Sequence, residues 1–290
     1  MGACAVTGTT GYVGSVLANG LRDHMPVVSL VRHVRGAEDL SWSLQSRHDL
    51  TGALRERNVK VLVHAAWDMR ETSAAKIDKT CVEGSAHLFA MCARAGVERI
   101  VFISTISAFE GCRSVYGQAK LAVEKKLRKQ EIPCVIFRPG LVFGTKPGGM
   151  LGSIRKQVQD SRILPMIGSG NVPQYLLHEN TLVDSVRRAI AGEFDAIHGA
   201  PITLADPTPH PFLDLVKSIA ASEQRDVKLV PLPAWLLYAG IRTGELFGLH
   251  LPFRSDSITS SLHYDRNPDF SLLNALQIKP LPFNPGEQKS

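Results

Sequence analysis

Cysteine is scarce, and its spacing excludes both a disulfide framework and a metal site. There are five cysteines, an odd number, and no two of them stand in a C-x-x-C arrangement. No set of His and Cys residues has metal-ligand spacing either. A chain of 290 residues has enough interior to fold without such cross-links. With no signal-peptide pattern at its start, we expect a cytoplasmic protein without a metal ion.

A long uninterrupted hydrophobic run is also missing. The most apolar late segment, residues 231–251, is broken near its middle by Arg242 and Glu245. Two charges at that depth are too costly for a spanning helix. We expect an amphipathic or core helix there, and no membrane partner.

Charge of either sign is sparse and unclustered. Lys and Arg number 33 against 27 Asp and Glu, which gives a net charge of +6. Basic residues are not grouped with aromatic residues, so a nucleic-acid partner is not expected. The mild positive excess suits an anionic small-molecule substrate.

Short β-rich runs alternate with helical stretches along the first half of the chain. Continuous apolar strands separated by helices predict a parallel sheet covered on both faces, hence an α/β doubly wound (Rossmann) fold. The strand-like runs are 3–7, 27–31, 59–64, 99–104 and 133–138, and the helical stretches are 11–24, 73–95 and 115–130.

The composition of the sequence changes after residue 143. A glycine-rich loop follows at 144–149, and most of the 17 prolines come after it. Residues 175–191 have a further strand-then-helix pattern, and we expect this segment to pack with the first half of the chain. We therefore predict a dinucleotide-binding domain at 1–143 plus about 171–198, and a smaller C-terminal substrate lobe at about 144–170 and 199–290.

A glycine triplet lies between the first strand and the first helix. Gly8 turns the chain, Gly11 lets backbone amides approach a pyrophosphate, and Gly14 lets helix and strand pack closely. Negative charge on the ligand would then sit at the helix N-terminus. The G-x-x-G-x-x-G spacing predicts a dinucleotide site; a plain tight turn is the alternative.

The end of the second strand indicates which dinucleotide binds. A carboxylate there would bond the ribose hydroxyls of NAD, whereas arginine accommodates a 2′-phosphate. The strand ends at Arg32, and no carboxylate follows until Glu38. We expect NADP(H) to be preferred and NAD(H) to be the alternative, unless Arg32 is a solvated surface residue.

Tyr116 and Lys120 stand four residues apart and share one face of a predicted helix. A tyrosine has an unperturbed pKa near 10 and needs a neighbouring ammonium to act at neutral pH. Hydroxyl groups at 104, 105 and 107 end the fourth strand, where a parallel sheet faces its ligand. One of them can hold the substrate oxygen that Tyr116 protonates.

With these pieces in order, the sequence resembles the extended short-chain dehydrogenase/reductase family over most of its length. The motifs are T-G-T-T-G-Y-V-G at 7–14, H-D-L at 48–50, H-A-A at 64–66, S-T-I-S-A-F at 104–109, Y-G-Q-A-K at 116–120, R-P-G-L-V-F-G at 138–144, and G-S-G-N at 168–171 followed by His178. The family is an NAD(P)-dependent epimerase, dehydratase and reductase group.

The resemblance implies a role for each matching residue. Tyr116 would be the general acid/base, Lys120 would lower its pKa, and Thr105 would be the active-site hydroxyl, with Ser104 its immediate rival and Ser107 a weaker one. The cofactor-binding residues would be Gly8, Thr10, Gly11, Tyr12, Val13, Gly14, Arg32, Asp49, Leu50, Ala65, Ala66, Tyr116, Lys120, Pro139 and Gly140. For Asp49 the alternative is a helix N-cap before residues 51–58.

Two departures from the family pattern qualify the resemblance. Cys81 stands where the family usually has asparagine, which puts a relay through that residue in doubt. Near His178 the arginine typical of nucleotide-sugar enzymes is missing. Arg155, Arg162 and Arg254 remain available for a substrate phosphate, although a surface salt bridge is the simpler interpretation of each.

These features predict an NADP(H)-dependent oxidoreductase that reduces a ketone to an alcohol, with a 4-keto nucleotide sugar as first choice. The family's dehydratases carry an acidic residue after the hydroxyl position, and Ile106 occupies that place here. The alternatives are an epimerase that retains NAD, a reductase of a steroid- or flavonoid-like ketone walled by 231–251, and an NADPH-binding regulator without turnover. In the family that the sequence resembles, the helix corresponding to 115–130 often packs across a two-fold axis, so the resemblance implies a homodimer; the alternative is a monomer whose apolar stripe covers the sheet.

Overall fold

The computed structural model describes residues 2–69, 71–145, 148–247 and 254–285. Its centre is a seven-stranded sheet in the order β11-β6-β5-β4-β1-β2-β3, and every pairing in it is parallel. The strands of this sheet are β1 Ala3–Thr7, β2 Val27–Val31, β3 Asp39–Ser41, β4 Val59–His64, β5 Arg99–Ile103, β6 Cys134–Pro139 and β11 Pro201–Leu204. The predicted doubly wound α/β fold is confirmed.

Helices cover both faces of the sheet. The helices of the described residues, including those of the second lobe, are α1 Tyr12–Arg22, α2 Thr51–Glu56, α3 Ala74–Ile77, α4 Glu83–Ala95, α5 Val115–Leu127, α6 Gly149–Asp160, α7 Glu179–Ile190, α8 Phe212–Ser222, α9 Ala234–Leu246, α10 Ser255–Leu262 and α11 Ser271–Ala275, with a π-helix at Asp78–Val82 and a 3-10 turn at Asp195–Ile197. One apolar core lies under α2, α4 and α5, and a second lies under α1, α7 and α11. The strands form because their side chains are apolar on both faces; every residue of β1 and β2 is buried.

A second lobe has its own core between α6, α8 and a short sheet. Its small sheets pair β8 Ile163–Ile167 with β13 Lys228–Leu232, and β9 Pro173–Gln174 with β12 His210–Pro211. Beside them, β7 Leu141–Phe143 pairs with β10 Leu176–His178, and α7 then returns to pack on α1. The strand-then-helix pattern expected at 175–191 is therefore present.

Two segments expected in the second lobe are part of the central seven-stranded sheet or pack against it. β11 adds to the edge of β6 because Ile202 and Leu204 alternate into the second core. α11 packs over β11, and Leu273 is buried there. The division into two lobes stays a proposal, with residues 201–204 and 271–278 assigned to the first.

The late apolar segment forms a helix that lies at the surface rather than in the core. On α9, Trp235 is 71% exposed and Tyr238 is 42% exposed. Residues 248–251 of the segment lie outside the described residues. Within the described ranges, no helix is long and apolar enough to cross a bilayer.

Candidate functional site

The glycine loop has the close backbone packing that the sequence predicted. Gly8 has φ +75°, and a Cβ at this position would lie 2.9 Å from the backbone nitrogen of Ala66. A Cβ on Gly14 would overlap the backbone carbonyl of Gly8. No side chain of the described chain caps the start of α1, whose N-cap is Gly11. The loop thus leaves a bare helix N-terminus for an anionic group.

A cavity of about 790 Å³ begins at this loop and follows the carboxyl ends of β2, β4, β5 and β6 to the second lobe. Its position, where the strand order reverses beside β1, is the place where open α/β sheets bind ligands. The expected site residues that line it are Gly8, Thr10, Gly11, Tyr12, Val13, Gly14, Arg32, Ala65, Ala66, Ser104, Thr105, Ser107, Tyr116, Lys120, Pro139 and Gly140. The loop cradle and this lining fit a nicotinamide dinucleotide.

Asp49 and Leu50, expected to contact adenine, do not line the cavity. Asp49 Oδ1 accepts two hydrogen bonds from Thr51, one from the backbone N–H at 2.9 Å and one from the side-chain hydroxyl at 2.5 Å. These bonds lower the pKa of Asp49 to about 2. Leu50 is buried in the core beneath α2. Asp49 therefore binds the first residue of α2 from the position before the N-cap, Leu50. Residues 43–45 line the cavity instead, and their sequence carries no signal for it.

Ser104 and Thr105 point to different partners. Ser104 Oγ donates to Glu124 Oε1 at 2.6 Å, and that carboxylate is fully buried and paired with Arg138. The Thr105 hydroxyl acts on the phenol of Tyr116 and lowers the pKa of that phenol. Ser107 accepts a hydrogen bond at 3.1 Å from Ser260. Of the three candidate hydroxyls, only that of Thr105 influences the tyrosine in this way.

The environment of Tyr116 differs from the expected one. Burial raises its pKa to about 12, while the Thr105 hydrogen bond and the positive charge of Arg254 act in the opposite direction. The ammonium of Lys120 donates to the Ile103 carbonyl at 2.7 Å and lies 5.8 Å from the centre of the Tyr116 ring. The positive charge of Arg254, a residue outside the expected motif, therefore also favours the phenolate.

Trp67 contacts both expected catalytic side chains, Tyr116 and Lys120, although it belongs to no motif predicted from the sequence. Its ring meets that of Tyr116 edge-on at 5.7 Å, and Lys120 Nζ lies 4.2 Å from its centroid. The indole nitrogen is buried in the cavity wall, without a hydrogen-bond partner in the described part of the chain. Only its place directly after Ala65 and Ala66 could have indicated this role.

Other singled-out residues have structural surroundings. Cys81 is fully buried, and burial raises the pKa of its thiol. His178 is the N-cap of α7, where its Nδ1 accepts the Asn180 N–H at 3.0 Å. Arg155 is buried and pairs with Glu223 at 2.6 Å. Of the three arginines considered for a substrate phosphate, Arg254 alone lines the cavity.

Burial of Lys120 predicts a specific pH dependence of stability. Burial lowers its pKa from 10.5 to about 7, so between these values the unfolded chain binds a proton that the folded chain has released. The free energy of unfolding should therefore rise with pH from about 7 to about 10.5. Urea denaturation at a series of pH values should show this rise in the wild type and lose it in Lys120→Met.

Lys125 supplies the matched control on the same helix, since its side chain is 58% exposed. Lys125→Met should keep the wild-type slope. Parallel profiles for the wild type and Lys120→Met would contradict the low pKa of Lys120.

Comparison with known proteins agrees with this geometry. Residues 3–168 match the family model described as the RmlD substrate binding domain. The y4nL protein of Sinorhizobium fredii is 23% identical over 267 residues, which cover 79% of this chain and 74% of that protein. A UDP-glucose 4-epimerase of Azospirillum brasilense is 27% identical over 177 residues, about half of each chain.

A solved structure has the same fold over nearly the whole chain. It is that of TunA, an NAD-dependent NDP-hexosamine 5,6-dehydratase, with a TM-score of 0.70 and 14% identity over 98% of this chain and 95% of that one. The family model covers more than half of the sequence, and the glycine loop, Thr105, Tyr116 and Lys120 all line the cavity. The chain therefore belongs to the RmlD substrate binding domain family of the extended short-chain dehydrogenases/reductases, which are NAD(P)-dependent enzymes.

Proposed function

We propose that the protein is an NADP(H)-dependent reductase that converts the ketone of a 4-keto nucleotide sugar to an alcohol. The observation that carries the cofactor preference is the charge at the end of β2. Arg32 lines the cavity there, exposed, and forms no hydrogen bond or ion pair with another described residue. A free guanidinium at this place suits the 2′-phosphate of NADP.

The nearby carboxylates support the same preference because each is used elsewhere. Glu38 lies 3.7 Å from Arg22, and Asp39 accepts the backbone N–H groups of Arg35 and Gly36. Neither carboxylate lines the cavity. Neither carboxylate is placed to bond the adenosine ribose hydroxyls, the contact that would favour NAD.

For the reaction, Thr105, Tyr116 and Lys120 are the proposed catalytic set. A bound NADPH supplies the hydride. Thr105 and Tyr116 would both bond the substrate ketone oxygen, and the phenol would give its proton to that oxygen and recover one from solvent. Lys120 would hold the nicotinamide ribose, and Arg254 would stabilise the phenolate between the two proton transfers.

The remaining cofactor contacts follow the cavity from one end to the other. Gly8, Thr10, Gly11, Tyr12, Val13 and Gly14 would hold the pyrophosphate, Ala65 and Ala66 the adenosine ribose and pyrophosphate, and Pro139 and Gly140 the nicotinamide. Because Asp49 and Leu50 lie elsewhere, we assign the adenine end to residues 43–45.

A hydroxylated, anionic substrate agrees with the wall that the second lobe contributes. That wall presents Ser257, Ser260, Tyr264 and Arg254 to the cavity. Its two carboxylates, Asp256 and Asp265, accept backbone N–H groups. Hydroxyl groups and one cation suit a nucleotide sugar better than a steroid or flavonoid. The described residues of α9, which would have formed an apolar wall, do not line the cavity. Two of the similar proteins act on nucleotide-linked sugars by name.

An epimerase that retains NAD is the second candidate, because a curated relative is a UDP-glucose 4-epimerase. The two activities differ in their cofactor balance. An epimerase returns its cofactor unchanged, whereas a reductase releases it oxidised. Dehydration is not proposed, since Ile106 follows Thr105 where an acidic side chain would be needed.

The cofactor preference is testable at Arg32. In Arg32→Ala, the Kd of NADPH should rise about tenfold or more, because a charge-assisted bidentate contact is lost. The Kd of NADH should stay within about twofold, because no such contact exists for it. Fluorescence titration of cofactor-stripped protein measures both values.

Arg35 provides the control, since it is exposed, three residues away and outside the cavity. Its contact with Asp39 uses the backbone N–H, which alanine retains. Arg35→Ala should bind both cofactors as the wild type does. Equal affinities for NADPH and NADH that do not change in Arg32→Ala would refute the preference.

We also propose a cytoplasmic enzyme, which agrees with five unpaired cysteines. The homodimer through α5 stays a proposal. Its apolar residues Leu121, Val123 and Leu127 are buried within the chain, and Lys125 and Lys126 are exposed. A two-fold contact over this helix would therefore be polar, and sedimentation analysis would detect it.

A further inference from the structure

A carboxylate from the second lobe binds the first turn of the helix that carries the catalytic tyrosine. The first N–H groups of any helix have no acceptor within the helix. Asp256 Oδ1 accepts the N–H of Val115 at 2.8 Å, and Asp256 Oδ2 accepts the N–H of Tyr116 at 3.0 Å. Asp256 thus holds the backbone of Tyr116 directly, across 140 residues of sequence.

The rest of the first turn is satisfied locally. Ser114 Oγ accepts the N–H of Gly117 at 3.1 Å, and the N–H of Gln118 bonds to the Ser114 carbonyl at 3.0 Å. The N–H groups of residues 115, 116 and 117, which have no acceptor within the helix, therefore all have a hydrogen-bond acceptor. Two of the three depend on Asp256, so the local sequence of α5 does not complete its own cap.

Asp256 is itself held firmly, because α10 is fixed at both ends. The N–H and hydroxyl of Ser255 donate to the Glu245 carboxylate at 2.8 and 2.7 Å, which ties α10 to α9. Further along α10, Ser260 donates to Ser107 at 3.1 Å, in the loop that follows Thr105. The same helix therefore contacts both segments that bear the reacting hydroxyls, namely α5 with Tyr116 and the loop with Thr105.

We propose that Asp256 is a positioning residue for Tyr116, which couples the placement of the phenol to the docking of the second lobe against α5. A carboxylate at a helix N-terminus is favourable by charge, and its two bonds to adjacent N–H groups fix both the rotation and the height of the first turn. The phenol must meet Thr105 and the substrate oxygen within a fraction of an ångström. The inference rests on the proposed role of Tyr116 as proton donor.

The first test needs no substrate. The chain has five tyrosines, so labelling with ¹³C at the single Cζ carbon of tyrosine gives five NMR signals, and Tyr116→Phe assigns one of them. In Asp256→Asn, the Tyr116 signal should shift while the other four stay, and hydrogen exchange at Val115 and Tyr116 should quicken at least about tenfold.

The matched control is Asp269→Asn. Asp269 accepts the N–H of Ser271 at 2.8 Å at the start of α11, and it lies outside the cavity. This variant removes an equivalent aspartate contact with a helix start, and it should leave the Tyr116 signal and both exchange rates unchanged.

The second test is kinetic. With a 4-keto nucleotide sugar and NADPH, kcat in Asp256→Asn should fall about 10- to 100-fold, with KM and the Kd of NADPH unchanged. Asp256→Glu, which keeps the carboxylate, should recover part of the loss. A lower melting temperature with an unchanged Tyr116 signal and kcat would overturn the proposal, because Asp256 would then only stabilise the fold. If the wild type does not reduce these sugars, the proposed substrate fails, and the NMR result still decides the role of Asp256.

Discussion

Tyr116→Phe should abolish turnover while the enzyme still binds its cofactor. The substitution removes only the hydroxyl, and phenylalanine keeps the ring that meets Trp67 edge-on at 5.7 Å. Without the phenol, the proposed proton donor to the substrate oxygen is gone. We expect kcat to fall on the order of 10²- to 10⁴-fold, the usual contribution of a positioned general acid.

Binding of NADPH should change far less, because at most one hydrogen bond to the cofactor is lost. Its Kd should stay within about fivefold of the wild-type value. Steady-state kinetics and fluorescence titration of the same preparation measure the two effects. Tyr238→Phe, on the exposed face of α9, is the control and should match the wild type in both. Turnover that survives in Tyr116→Phe would show that another group is the proton donor.

The second large effect is expected at Gly14. A Cβ there would overlap the backbone carbonyl of Gly8, and a backbone atom cannot move aside as a flexible side chain can. In Gly14→Ala the loop must shift away from α1, at a cost of about 1–3 kcal/mol in stability. The pyrophosphate site shifts with the loop, so the Kd of NADPH should rise about 10- to 100-fold.

Gly52→Ala is the matched control for this prediction. Gly52 lies near the start of α2, exposed, and an added Cβ meets nothing within 4 Å. Alanine is the better helix former, so stability should rise by up to about 1 kcal/mol and cofactor affinity should stay the same. Calorimetry and the same titration measure both variants. Wild-type affinity in Gly14→Ala would mean that the loop does not hold the cofactor.

The features predicted from the sequence are those that short segments encode. Gly8, Gly11 and Gly14 act within one strand-to-helix junction, and a spacing of four places Tyr116 and Lys120 on one helix face. Each strand of the first half is a continuous apolar run, because both faces of the sheet are covered. Such signals need no knowledge of how distant segments meet.

The features that the sequence did not reveal depend on tertiary packing. Ser104 and Thr105 are neighbours with similar side chains, and only the buried Glu124 shows which of them is engaged elsewhere. Asp49 matches a family motif, yet its carboxylate bonds Thr51 instead of facing the cavity. The contact between Asp256 and Tyr116 joins segments 140 residues apart, and no local pattern announces it.

The pKa of Tyr116 also depends on tertiary packing. Spacing alone suggested that Lys120 would lower it, because the two residues share a helix face. In the structure the ammonium of Lys120 donates to the Ile103 carbonyl and lies over the Trp67 ring, and Arg254 from the second lobe adds a further positive charge that acts on the phenol. The electrostatics of the site therefore also depend on groups that the motif does not contain.

The most direct test of the proposed function is a single turnover of cofactor-stripped enzyme with a 4-keto nucleotide sugar and NADPH carrying deuterium at nicotinamide C4. We expect one NADP⁺ to be released for each alcohol formed, with the deuterium on the carbon that had been the ketone. Enzyme that instead retains NAD and interconverts sugar epimers without net oxidation of a cofactor would contradict the reductase and establish the epimerase.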